Sequence, residues 1–194
     1  MVRDSPPEPA WHALYDVAAS QEGLFTTRQA AAAGYSSPLL AHHQKVGRIV
    51  RIRRGIYRLV HFPPGEHEDL VAAWLWTEAV GVLSHQTALS LHGLSDSLPA
   101  QIHLTLPTGW QQRRLRVPKG LALHYAGVPT KERTWAGAVP VTSTRRTLDD
   151  CAHSGLTPDL LRQAATQALT RGLVMKTELK EVEKALKPYG GIKG

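Results

Sequence analysis

The sequence predicts an α+β protein in two parts: a small N-terminal unit of three short helices and a β-hairpin, then a larger α+β domain. Three observations predict it. Between Gly23 and Gly65 there are seven basic side chains and no Asp or Glu, and five of the seven fall between Arg48 and Arg58. The apolar residues of that basic run alternate with period two, as in a hairpin. Beyond Pro63-Pro64-Gly65 the apolar spacing changes repeatedly between helical and extended patterns. Three helices followed by a hairpin is the order of a winged helix-turn-helix.

Each element has a local cause. Residues 1–9 form a Pro-rich leader, expected to be disordered. Trp11 to Gln21 reads as a helix with Leu14, Val17 and Ala18 on one face, stopped by Gly23. Leu24-Phe25 is a short extended step, and Thr26 or Thr27 caps a second helix through Ala33, closed by Gly34. Ser36-Ser37-Pro38 starts a third helix with a hydroxyl cap and proline in the first turn, and Gly47 ends it. Strands over Ile49–Arg53 and Ile56–Leu59 are joined through Arg54-Gly55. The winged unit is therefore assigned to residues 10–62, with Pro63-Pro64-Gly65 as linker. The second domain, residues 66–188, starts with helices over Glu66–Ala79 and Ser84–His92. Strands follow at Ile102–Leu106, Leu121–Tyr125 and Val139–Thr142, then helices at about 143–153, 158–171 and 176–187. Residues 189–194 are expected to be a flexible tail.

Composition narrows the function. The chain has 194 residues, 42% of them apolar, which suffices for a real core. Its net charge is +7, unevenly spread: residues 1–60 hold eight Lys/Arg against four Asp/Glu, residues 61–194 fifteen against twelve. One cysteine, Cys151, excludes an intramolecular disulfide framework and a multi-Cys zinc site. The leader has no apolar core of a signal peptide, and the apolar run Leu70–Leu83 is too short to span a bilayer. These features predict a cytoplasmic protein with no membrane association.

A self-repelling basic hairpin makes physical sense when a polyanion supplies the missing charge. In a winged helix-turn-helix the third helix enters the major groove, where base pairs differ in donor and acceptor pattern. Leu39, Leu40 and Val46 are expected to face the core, leaving His42, Gln44 and Lys45 to reach base edges. Ser36 and Ser37, with the backbone N–H groups there, are placed to bind a phosphate. In the hairpin Val50 and Ile52 are expected to share a buried face, with Arg51 and Arg53 offered to phosphates or the minor groove. Arg28, Arg48 and Arg54 complete the expected contact set. Lone winged modules rarely reach high specificity, so self-association on DNA at paired half-sites is expected.

The run Gly47-Arg48-Ile49-Val50-Arg51-Ile52-Arg53-Arg54-Gly55-Ile56-Tyr57-Arg58-Leu59 resembles the wing of AbiEi-type antitoxins of type IV toxin–antitoxin systems. Val82-Leu83-Ser84-His85-Gln86-Thr87-Ala88-Leu89-Ser90-Leu91-His92-Gly93-Leu94 is similar to that family's Ser-His-x-x-Ala-Leu-x-Leu-His-Gly helix. Ile102–Pro107 and Val139–Asp150 resemble its next two blocks, so the likeness spans roughly residues 10–155. The resemblance implies an N-terminal DNA-binding winged helix and a C-terminal domain needed for antitoxicity. It also implies autorepression of an operon through inverted repeats, and a nucleotidyltransferase-like toxin with which no stable complex forms. One departure concerns His43, which stands where the recognition helix more usually carries an apolar residue. Alternatives are a transcriptional regulator without a toxin partner and a nuclease.

The nuclease alternative rests on Pro158-Asp159 and Glu178-Leu179-Lys180, which imitate a PD…ExK metal-dependent pattern. Proline and acid are favoured at a helix start anyway, and residues 177–184 alternate charge as a solvated helix face does. No enzyme activity is therefore expected. His85 and His92, two turns apart on one helix, are read as packing residues rather than metal ligands, so no metal or other cofactor is expected. Cys151 is read as a small core residue, Arg145 and Asp149 as an i,i+4 ion pair. The loop from Arg113 to Lys119 is read either as a solvated basic loop or as a second contact to DNA or another acidic partner.

Overall fold

The computed structural model of the protein describes residues 9–95 and 99–192. All of the expected leader except Pro9 lies outside them, as do the last two residues of the Gly-rich end. The molecule is α+β and divides into two units, the first ending at Ala79 and the second starting at Val80.

In the first unit the order is α1 (Trp11–Ala19), β1 (Leu24–Thr26), α2 (Thr27–Ala32), α3 (Ser37–Lys45), β2 (Ile49–Arg53), β3 (Ile56–Leu59) and α4 (Glu68–Trp76). The step at Leu24-Phe25 is a true strand. It pairs antiparallel with β3, which pairs antiparallel with β2, giving a sheet of order β1-β3-β2. Thr26, not Thr27, caps α2: its hydroxyl accepts from Gln29 N–H while the Gln29 side chain accepts from Thr26 N–H, a reciprocal capping box. Ser36 caps α3 and proline occupies its first turn, as the sequence reads.

The core of this unit gathers Leu14, Ala18, Phe25, Ala30, Tyr35, Leu40, Ile49 and Leu59. Burying a leucine such as Leu40 is worth roughly 1.5–3 kcal/mol. Gly23 makes one close approach possible: at φ +82°, a Cβ there would lie 2.6 Å from the Phe62 ring.

Three expected core positions are corrected. Val46 is 51% exposed, because α3 ends at Lys45 and the chain turns away through Gly47. His43, one helical step from Leu39 and Leu40, takes the inward place instead. Val50 is exposed and Ile52 half-buried, so they do not form a buried hairpin face. A register shift between Arg51 and Arg53 breaks the strict alternation, and Ile49, Ile56 and Leu59 supply the buried face.

The helix expected to open the second domain packs with the first. α4 lies against β1 and β3, burying Leu70, Val71, Ala72, Ala73 and Leu75. Glu68 pairs with Arg58 at 3.5 Å, and a Glu22 carboxylate oxygen accepts from His67 N–H at 3.0 Å. The boundary thus falls after α4 rather than at Pro63-Pro64-Gly65.

The second unit contains β4 (Val82–Leu83), α5 (His85–Leu91), β5 (Ile102–Leu106), β6 (Leu121–Tyr125), β7 (Arg133–Ala136), β8 (Val139–Thr142), α6 (Thr144–His153), α7 (Pro158–Thr170) and α8 (Lys180–Leu186). Its mixed sheet runs β6-β5-β4-β8-β7, with β5/β6 and β4/β8 parallel and β4/β5 and β7/β8 antiparallel. Leu89, Leu94, Leu148, Leu161, Leu179, Val182 and Leu186 dominate a helical core beside it. The end expected to be a flexible tail is held as far as Ile192. Ile192 is buried, and Arg162 donates to the carbonyls of Tyr189 and Gly191.

Candidate nucleic-acid interface

The candidate interface is assembled in the first unit by α2, α3 and the β2–β3 hairpin. Arg54-Gly55 makes the hairpin turn, with Gly55 at φ +78°, a backbone angle that costs glycine little. The carbonyl of Gly55 accepts from the Thr27 backbone N–H at 2.9 Å and from its hydroxyl at 3.3 Å. These bonds tie the hairpin tip to the start of α2, where Arg28 also lies. From the sequence Thr27 is only a candidate cap. No local pattern signals a contact between residues 28 positions apart.

Nine of the ten residues expected to contact DNA are exposed: Arg28, Ser36, Ser37, His42, Gln44, Lys45, Arg48, Arg51 and Arg54. Arg53 is half-buried. The Ser36 hydroxyl is already engaged, accepting from Leu39 N–H at 3.4 Å, whereas Ser37 in the first turn has its side chain exposed. Arg51 Nε donates to the carbonyl of Arg53 at 3.3 Å, bracing the bulged strand. Among the described residues no carboxylate lies within ion-pair reach of Arg28, Lys45, Arg48, Arg51, Arg53 or Arg54. Arg58 differs, being held by Glu68. A cationic surface without internal partners keeps its full attraction for a polyanion.

His43 settles the departure noted in α3. Its ring packs 5.5 Å from Tyr35 and 5.9 Å from Trp11, centroid to centroid. Burial, with help from Arg48 and His42, lowers its pKa, and burial raises that of Tyr35. His43 therefore serves as a neutral core aromatic, which leaves His42, Gln44 and Lys45 on the outer face of the same helix.

The two acids of the PD…ExK pattern are each engaged locally. Asp159 starts α7, is exposed, and pairs with Arg162 at 3.0 Å. Glu178 lies in a 3₁₀ turn and caps Met175 N–H at 2.7 Å. Neither is on a strand. Cys151 is wholly buried and its thiol pushed up to about 12, first by desolvation, so it is no nucleophile at neutral pH. Arg145 pairs with Asp149 at 2.8 Å as its spacing predicts.

Residues 12–60 match the family model "Transcriptional regulator, AbiEi antitoxin". The likeness is confined to this segment. The AbiEi match begins within α1 and ends just after β3, so it coincides with the helices and hairpin that carry the basic surface. A crystal structure of the RV2827C protein from Mycobacterium tuberculosis aligns over 97% of this chain and 80% of that chain, with 14% identity and a TM-score of 0.45. No curated protein matches the chain. No helix among the described residues is long and apolar enough to cross a membrane.

Proposed function

We propose that this protein is the DNA-binding antitoxin of a type IV toxin–antitoxin system. It represses its own operon by binding inverted repeats and counteracts a cognate nucleotidyltransferase-like toxin without holding it in a stable complex. The observation that carries this reading is the pairing of the AbiEi match with an unneutralised cationic surface on the same residues.

On this reading α3 enters the major groove. His42, Gln44 and Lys45 face base edges, and Ser37 with the helix N-terminus meets a phosphate. Arg48, Arg51, Arg53 and Arg54 follow the backbone beside that groove or enter the minor groove, and Arg28 extends the contact from α2. Phosphate contacts fix position while α3 supplies sequence preference. The second unit provides self-association or antitoxicity.

Footprinting of the purified protein on its own promoter tests the repression. Two protected half-sites about ten base pairs apart, or a multiple of that, are expected. Co-expression with a neighbouring nucleotidyltransferase-like gene tests the antitoxicity, and restored growth is expected. An unprotected promoter removes autorepression. A protected promoter with no growth rescue leaves a transcriptional regulator without a toxin partner.

A further inference from the structure

The second unit brings together three histidines far apart in sequence. His85 opens α5, His103 lies on β5 and His124 on the adjacent parallel strand β6. One ring nitrogen of each lies within 4.8 Å of the others. His103 Nδ1 and His124 Nε2 are 3.0 Å apart, and the His85 and His124 rings stack with centroids 3.5 Å apart. His92, which the sequence pairs with His85, instead places its Nε2 on the carbonyl of Thr142 at 2.7 Å.

We propose that His85, His103 and His124 form a binding site for one divalent transition-metal ion of the zinc class. Imidazole nitrogens suit such ions, and three histidines leave a further coordination position open. Tetrahedral ligation at about 2.0–2.1 Å needs nitrogens roughly 3.4 Å apart. The His103–His124 pair, a hydrogen bond in the absence of an ion, is near that spacing, and the three near-parallel rings turn to aim their nitrogens at one ion.

The surroundings match a ligand shell. Ser84 Oγ lies 2.9 Å from His85 Nδ1 and itself accepts from the Thr105 hydroxyl at 2.8 Å. That relay orients the ring and leaves Nε2 as its ligand atom. Asp150 on α6 is close enough for its charge to act on His124. One of its oxygens accepts from Arg146 Nε at 2.8 Å, while Oδ2 is buried with no hydrogen-bond partner among the described residues. An unsatisfied carboxylate oxygen whose charge reaches His124 suits an outer, orienting role; it is not among the ligand atoms that lie within 4.8 Å of one another. His85 also holds φ +52°, a strained angle for a non-glycine residue. Desolvation lowers the pKa of all three histidines, His85 to about 3, with further lowering from His124, His103 and Arg146 at that residue. Neutral imidazoles are the form that ligates.

The site is independent of DNA binding and is tested on the full, chelator-stripped chain with Co²⁺ and Zn²⁺ alone. We expect one equivalent of Co²⁺ to give a visible d–d band with nitrogen-ligand character, displaced by one equivalent of Zn²⁺. His103→Asn and His124→Gln keep size and polarity and so preserve the fold, checked by circular dichroism. Each should weaken binding by about 100-fold or more, and Asp150→Asn by about 10-fold to 100-fold. His61→Ala and His153→Ala remove exposed histidines and should leave the band intact. Absence of a band from the folded wild type, or a band that survives His124→Gln, overturns the proposal. So does loss of the band in either surface variant.

Discussion

His43 shows how one side chain can satisfy a core and carry a pH dependence. It is 8% exposed and faces Tyr35, Trp11, Arg48 and His42, with no carboxylate among them. Its folded pKa lies below the ordinary 6.5, so the unfolded chain takes up the proton first. The stability that neutral His43 contributes is complete above that ordinary value and is lost as pH falls from it towards the folded value. His43→Phe preserves an aromatic of similar shape and removes the titration. Between about pH 7.5 and about pH 5, the melting temperature of the wild type should fall further than that of His43→Phe. The buried histidines of the second unit are present in both proteins and cancel in the difference. Equal falls would show that His43 is not held neutral.

At the scale of elements, the hairpin is where charge becomes geometry. β2 is bulged between Arg51 and Arg53, and the tip is bonded to Thr27, so the arginines stand on a braced edge rather than a loose loop. Arg51→Glu with Arg53→Glu removes two cations and sets two like charges against the phosphates. Operator binding should drop roughly 100-fold or more, since each lost or reversed phosphate contact costs on the order of 1 kcal/mol. Neither residue belongs to the core or to an ion pair, so the thermal transition should stay within about 0.5 kcal/mol of wild type. Retained affinity in a gel-shift titration would take the wing out of the mechanism. The hairpin, the α3 start and the last three helices were legible because their signals are local: alternation, a Ser-Ser-Pro start, glycine stops. The bulge was not, because it depends on how β2 meets β3. β7 was missed because Arg133-Thr134-Trp135-Ala136 is largely exposed and carries no apolar alternation. α4 was legible as a helix but not as part of the first unit, since its apolar face does not say which sheet it covers. The clustering of His85, His103 and His124 depends on β5/β6 pairing and on α5 starting beside them, which no spacing in the sequence encodes.

For the whole molecule, the question is where the charge of +7 can act. In the second unit three arginines are held internally by carboxylates. Glu132 pairs with both Arg145 and Arg146, which also reach Asp149 and Asp150, and Arg162 reaches Asp159. Desolvation works against ionisation of Glu132, yet its pKa still falls, because the two guanidinium groups outweigh it. In the first unit the stretch from Gly23 to Gly65 has no acid of its own, so its cations other than Arg58 are available for counterion exchange with a duplex. Two protomers neutralising about eight phosphates should give a log K against log salt slope of roughly −7. The wing double reversal should flatten it by roughly 2 per protomer. Fluorescence anisotropy on a promoter fragment across a salt series measures both slopes. A steep slope that the wing reversal leaves unchanged would move the phosphate contacts to the exposed loop carrying Arg114, Arg116 and Lys119. A shallow slope in the wild type would mean that the cationic surface of the first unit meets few phosphates at all.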